Sequence, residues 1–214
     1  MIKIENLSKR FDSRYIFSKT NVIFESGKVY ALIGASGSGK TTLLNIMSQL
    51  EPYDEGQVFY KDKPLASIKP HEYFRKELGY LFQNFGLLES QSIKENLDLG
   101  LISKNLKKSE KLILEKEALK MVNLEYLDLD QKIFALSGGE AQRVALAKTI
   151  LKNPPLILAD EPTAALDPET SDEIMSILLS LRNKNRVIII ATHNPIIWGR
   201  ADEVIPVQTI ANID

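Results

Sequence analysis

Eight residues, Gly34-Ala35-Ser36-Gly37-Ser38-Gly39-Lys40-Thr41, leave this chain few folds to choose from. They follow the spacing G-x-x-x-x-G-K-T, with the short apolar run 29–33 before them and the helix-forming run 42–50 after them. That context describes a buried strand turning sharply into a helix. Glycines let the turn curl until successive backbone N–H groups point inward as an anion cradle, and the helix adds the positive end of its dipole. Gly34, Ser36, Gly37, Ser38 and Gly39 are the expected cradle. Lys40 is expected to reach the β- and γ-phosphates of a nucleotide, Thr41 to hold Mg²⁺, and Thr42 to touch a phosphate nearer the ribose.

Three further apolar runs, 79–82, 156–159 and 187–191, are short and rich in β-branched or aromatic residues, with little polar alternation. Such runs suit parallel strands buried on both faces. Ile174, Ile177, Leu178 and Leu181 form a helical i, i+3, i+4, i+7 stripe before the last of them. Strands alternating with helices predict an α/β fold with a mostly parallel core sheet. Two regions break the rhythm. Residues 1–27 with 56–60 read as an N-terminal antiparallel β subdomain, and 84–152 as an inserted α-helical subdomain, within one domain spanning 1–214. Inside the insertion, 104–120 is charge-dense and reads as a solvated helical face.

The run Leu156-Ile157-Leu158-Ala159 ends in two acids, Asp160 and Glu161. Parallel α/β sheets place ligands at the carboxyl edge of their strands. There Asp160 can approach Mg²⁺ beside Thr41, and Glu161 can polarise a water attacking a γ-phosphate. Farther along, Leu136-Ser137-Gly138-Gly139-Glu140 precedes a second helix-forming run. A hydroxyl and two glycines again present N–H groups at a helix N-terminus. One chain thus carries two phosphate-binding helix ends, which a single nucleotide would have to share.

LSGGE followed by Gln142-Arg143 is the signature of the ABC ATPase family, which this sequence closely resembles over essentially its whole length. The other family motifs follow in order: Gln83 matches the Q-loop, Ala164-Ala165-Leu166-Asp167 the D-loop, and His193 the switch histidine. Phe11, 29 residues before Lys40, falls where the family places an adenine-stacking aromatic, with Tyr15 as the lesser candidate. His71 and Trp198 read as surface or packing residues.

The resemblance implies a P-loop NTPase of ABC type that binds ATP and Mg²⁺ and works as a head-to-tail homodimer. Thr41, Gln83 and Asp160 would serve the metal, and Glu161, His193 and Gln83 the hydrolysis. Ser137, Gly138 and Gly139 would meet the γ-phosphate held by the opposite copy, with Asp167 acting across the contact. Only 97 positions separate Lys40 from Ser137, too few for the long coiled coil of chromosome and repair ATPases.

The stretch Phe82-Gln83-Asn84-Phe85-Gly86-Leu87-Leu88 is similar to the lipoprotein-release and macrolide-efflux branch, some of whose relatives export or resist antimicrobial peptides. That implies an ATPase subunit powering export through a separate membrane permease, at the cytoplasmic face of the membrane. Import of a small nutrient uses the same engine and stays open. A charge of −1, from 27 basic and 28 acidic residues, gives no expectation of nucleic acid as partner. The absence of cysteine excludes disulfides and thiolate metal sites. MIKIENLSKRF lacks the apolar core of a signal peptide.

Overall fold

The computed structural model describes residues 1–164 and 166–211. In chain order its elements are β1 (Ile2–Phe11), β2 (Arg14–Phe24), β3 (Val29–Ile33), α1 (Lys40–Met47), β4 (Glu55–Tyr60), β5 (Lys63–Pro64), α2 (Pro70–Glu72) and β6 (Leu78–Leu81). Then come α3 (Ile93–Leu101), α4 (Lys108–Met121), α5 (Gly138–Lys152), β7 (Leu156–Asp160), α6 (Pro168–Ser180), β8 (Val187–Ala191), α7 (Pro195–Trp198), β9 (Glu203–Pro206) and α8 (Val207–Ala211). They group into two compact units. One comprises Met1–Leu78, Pro155–Glu161 and Arg182–Asp214, the other Gly79–Pro154 and Pro162–Leu181.

In the first unit, β1 pairs antiparallel with β2 and β4, with Ile2 opposite both Phe24 and Tyr60. Ile2 and Ile4 are buried while Glu5 is half-exposed, the period-two pattern of a sheet with one packed face. The second sheet of this unit is parallel, with β7, β8, β3 and β9 side by side in that order. All five residues of β7 and of β8 are buried, which is why these strands read as unbroken apolar runs. On α1, Leu43, Leu44 and Met47 are fully buried. Burying each such side chain contributes about 1.5–3 kcal/mol.

Parallel pairing has a positional consequence. Val29 pairs with Ile188, and Asp160 with Ala191. The carboxyl ends of β3, β7 and β8 therefore share one sheet edge. Their next residues are Gly34, Glu161 and Thr192.

In the second unit three helices begin on side-chain caps. Ser92 with Glu95 and Ser137 with Glu140 form reciprocal capping boxes on α3 and α5, and Asp167 accepts from Thr170 N–H at the start of α6. Gly100 of α3 lets that helix approach α5 closely, since a Cβ there would lie 2.5 Å from the Lys148 carbonyl oxygen.

The region 84–152, expected to have helical character throughout, is helical only in part. Residues 84–92 and 122–137 are turns and extended segments with one 3₁₀ turn at Ile133–Ala135, and α4 begins only at Lys108. Asn123, at φ +56°, is a left-handed stop after α4. Nor is α4 wholly solvated, because it buries Glu115, Ala118 and Leu119. Among the described residues no helix is long and apolar enough to cross a membrane.

Candidate functional site

The shared sheet edge collects five of the expected side chains, all in the first unit. Gly34, Gly37 and Gly39 have φ of +155°, +76° and +100°, so the turn after β3 uses backbone states that side chains disfavour. Gly39 is also closely covered, since a Cβ there would meet Ile16 Cγ2 at 2.7 Å. The turn is closed by Ser38 N–H donating to the Ala35 carbonyl at 3.1 Å. Lys40 opens α1 and is buried, and its Nζ folds back to donate to the Gly34 carbonyl at 2.8 Å and the Ala35 carbonyl at 3.3 Å. Its ammonium is thereby held at the loop.

Thr41 Oγ1 donates to Asp160 Oδ1 at 3.1 Å. Asp160 is only 5% exposed. Burial pushes its carboxyl above the usual range; the Thr41 hydrogen bond lowers it, the Glu161 charge raises it and Lys40 lowers it. Glu161 lies at φ +45°, an uncommon conformation for a side-chain-bearing residue, with its N–H donating to the Ala191 carbonyl at 2.9 Å. Its carboxylate bridges two groups: Oε1 is 3.6 Å from Lys40 Nζ and Oε2 is 2.9 Å from His193 Nδ1. Strained backbone of this kind concentrates at functional positions.

The cradle fits a phosphate chain. Among the described residues, Gly37 faces open space, the Ser38 hydroxyl is buried without a hydrogen-bond partner, and the Lys40 ammonium rests only on carbonyls and a carboxylate. Thr41 and Asp160 offer hard oxygen donors, the chemistry Mg²⁺ takes. Ser36 is exposed at the loop and Thr42 half-exposed on α1. Phe11 and Tyr15 are 46% and 47% exposed at neighbouring positions of the β1–β2 hairpin, and Lys9 Nζ lies 4.5 Å from the Phe11 ring centre.

The remaining expected residues belong to the second unit. Gln83 is exposed just after β6. Ser137 is the N-cap of α5, with Gly138 and Gly139 in its first turn, and Asp167 caps α6. Ala165 lies outside the described residues. The signature turn is tied more tightly than its motif conveys. Glu140 Oε2 accepts from both the N–H and the hydroxyl of Ser137 at 2.8 Å, and Oε1 accepts from the Tyr126 hydroxyl at 2.9 Å. Gln142, fully buried, donates to the Pro162 carbonyl at 2.8 Å, and Arg143 pairs with Glu173 at 3.1 Å. Sequence reasoning missed Tyr126 and also Gln208, whose side chain borders Gly34. Both act from remote positions, and no local pattern marks them.

A family model described as ABC transporter matches residues 17–164. A methionine import ATP-binding protein of Clostridium acetobutylicum is 39% identical, over 90% of this chain and 61% of its own length. An uncharacterized ABC transporter ATP-binding protein of Methanocaldococcus jannaschii, MJ0796, is 36% identical over 91% of this chain and 87% of its own. A macrolide export ATP-binding/permease protein of Campylobacter jejuni is 34% identical over 97% of this chain but only 33% of its own. The chain thus spans about three fifths of the length of the methionine-import relative and a third of the macrolide exporter. Among solved structures, a dimeric post-hydrolysis state of MJ0796 bound to ADP and Pi superimposes with a TM-score of 0.87 at 33% identity, covering 96% of this chain and 94% of that one.

Proposed function

Because this chain belongs to the ABC transporter family, we propose that it is the ATP-binding and ATP-hydrolysing subunit of an ABC transporter, acting as a head-to-tail homodimer. The observation that carries the proposal is the Glu161 carboxylate, held between Lys40 and His193 at the strand edge that also bears the phosphate loop. In this reading the loop from Gly34 to Gly39 wraps the β- and γ-phosphates, and Lys40 moves from the Gly34 carbonyl to a phosphate oxygen. Phe11 stacks on adenine. Thr41 and Asp160 would hold Mg²⁺, which would neutralise phosphate charge.

Hydrolysis follows from charge placement. Glu161 takes a proton from a water as its oxygen bonds to the γ-phosphorus, and the bond to the β-phosphate oxygen breaks to leave ADP. Lys40 and His193 offset the charge on the transferred group. Ser137, Gly138 and Gly139 of the second copy close the site over the γ-phosphate with the N-terminus of α5. ATP then joins the two copies and its hydrolysis parts them, a two-state switch biased by the γ-phosphate.

A separate integral membrane permease is the partner, which puts the pair at the cytoplasmic face of the membrane. Export is the preferred direction, supported by the Phe82–Leu88 stretch and by likeness to the macrolide exporter over nearly all of this chain. The methionine-import relatives favour nutrient import as the second reading. Replacing Ser137 by tyrosine tests the shared site. Turnover should be abolished while ATP binding to the single chain stays near wild type, and equal loss of binding would count against a site split between two copies.

A further inference from the structure

Several lysines of the first unit are neutralised by nearby carboxylates. Lys3 pairs with Glu5, Lys9 with Glu51, Lys28 with Glu25 and Glu203, and Lys61 with Glu77. A cavity of about 540 Å³ breaks this habit. Lys61, Lys63, Lys69 and Lys76 line it, against only Glu72 and Glu77. Glu77 is already engaged, because its Oε2 accepts from the Tyr60 hydroxyl and from Lys61 Nζ, both at 2.7 Å. Among the described residues Lys63, Lys69 and Lys76 form no ion pair with a carboxylate.

The backbone holds this arrangement. Lys61 and Asp62 lie at φ +48° and +64°, the left-handed pair of a tight β4–β5 hairpin in which Tyr60 is opposite Lys63. Asn-Gly would be the relaxed choice at those two positions, so the turn accepts some backbone strain. Lys69 and Lys76 approach from the segment between β5 and β6. The buried Tyr60 and the half-buried Ile68 supply an apolar wall. Lys63, Lys69 and Lys76 face only one carboxylate not already engaged, Glu72, so the concavity is net positive and its summed field concentrates anions there. Ammonium groups bind phosphate oxygens through charge-assisted hydrogen bonds. The volume lies within the range of small-molecule sites, about 300–1,000 Å³.

We propose that this cavity is a second anion site, sharing no residue with the phosphate loop, which takes a phosphate-bearing polyanion. That chemistry has two sources, a free phosphorylated metabolite or the clustered headgroups of an anionic lipid surface. The inference stands on the first unit alone and does not depend on the proposed hydrolytic role.

The test uses the full chain with excess ADP filling the phosphate loop. Inorganic pyrophosphate is titrated by calorimetry, and vesicles of phosphatidylcholine with or without phosphatidylglycerol are tested by co-sedimentation. The wild-type chain should bind at least one of these anionic probes. The K63A/K69A/K76A variant should bind about tenfold more weakly or worse, with ADP affinity unchanged and K63R/K69R/K76R retaining binding. Saturable pyrophosphate binding identifies a free phosphate ligand, and selective capture by phosphatidylglycerol vesicles identifies the lipid source. Binding of neither probe by the wild-type chain, or equal binding by wild type and alanine variant, overturns the proposal.

Discussion

Gly37 and Gly39 provide a matched pair for separating two reasons a phosphate loop needs glycine. Both lie at positive φ, +76° and +100°. Around a Cβ on Gly37 nothing lies within 4 Å, whereas one on Gly39 would meet Ile16 Cγ2 at 2.7 Å and Phe17 Cζ at 3.0 Å, and Phe17 is fully buried. Left-handed backbone costs a side-chain-bearing residue about 1–2 kcal/mol. Forcing a methyl into packed surroundings adds about 1–3 kcal/mol. Gly37→Ala should therefore lose about 1–2 kcal/mol, and Gly39→Ala about 2–5 kcal/mol. In a chain of this size each kcal/mol lowers Tm by about 2–4 °C. Thermal unfolding followed by circular dichroism without nucleotide should then show drops of about 2–8 °C and about 4–20 °C. Equal Tm values would refute the steric part of the reasoning, because only Gly39 has neighbours to displace.

Two buried carboxylates give pH-dependent predictions with the same sign. Asp160 has a folded pKa raised by burial, despite its hydrogen bond from Thr41. Such a group favours the folded state below its unfolded value, about 3.9, and loses that contribution as pH rises through the folded pKa. Asp160→Asn should thus raise the Tm of the nucleotide-free protein at neutral pH, with the gain shrinking as pH falls toward about 4. Glu115 on α4 is fully buried with neither carboxylate oxygen hydrogen-bonded among the described residues, and burial, then Asp98, raises its pKa. Lys94 and then Lys111 pull it the other way without reversing the shift, and Lys111 is itself paired with Asp98 at 2.6 Å. Glu115→Met should stabilise the chain at neutral pH by about 1–3 kcal/mol, measured by the same melts, and a lower Tm would show that the buried carboxylate has a supporting role.

What could be read from the sequence divides along a physical line. Strands Val29–Ile33 and Val187–Ala191 match their expected limits because burial on both faces leaves an unbroken apolar run. The phosphate loop was legible because its glycines answer a local backbone demand. Its helix begins at Lys40, since Gly39 in left-handed conformation is itself the cap, and it ends at Met47 rather than Leu50. The edge strand β9 and helix α8 were not foreseen, because GRADEVIPVQ has neither helical nor alternating apolar period. Glu115 sits in a run of charges and is buried only because its own face of α4 turns inward. Tyr126 holds Glu140 across 14 positions, and Gln208 borders Gly34 from the far end of the chain. Contacts of that kind are made by tertiary packing and leave no periodic trace.

In the proposed cycle Glu161 drives hydrolysis in a site completed by a second copy of the chain. Glu161→Gln keeps the size and shape of the side chain and removes its charge. Sedimentation of this variant with ATP and Mg²⁺ should give a stable species of twice the 24.1 kDa chain mass, with ATP retained and turnover lost. Hydrolysis at the wild-type rate, or a single-chain mass with ATP bound, would contradict the account.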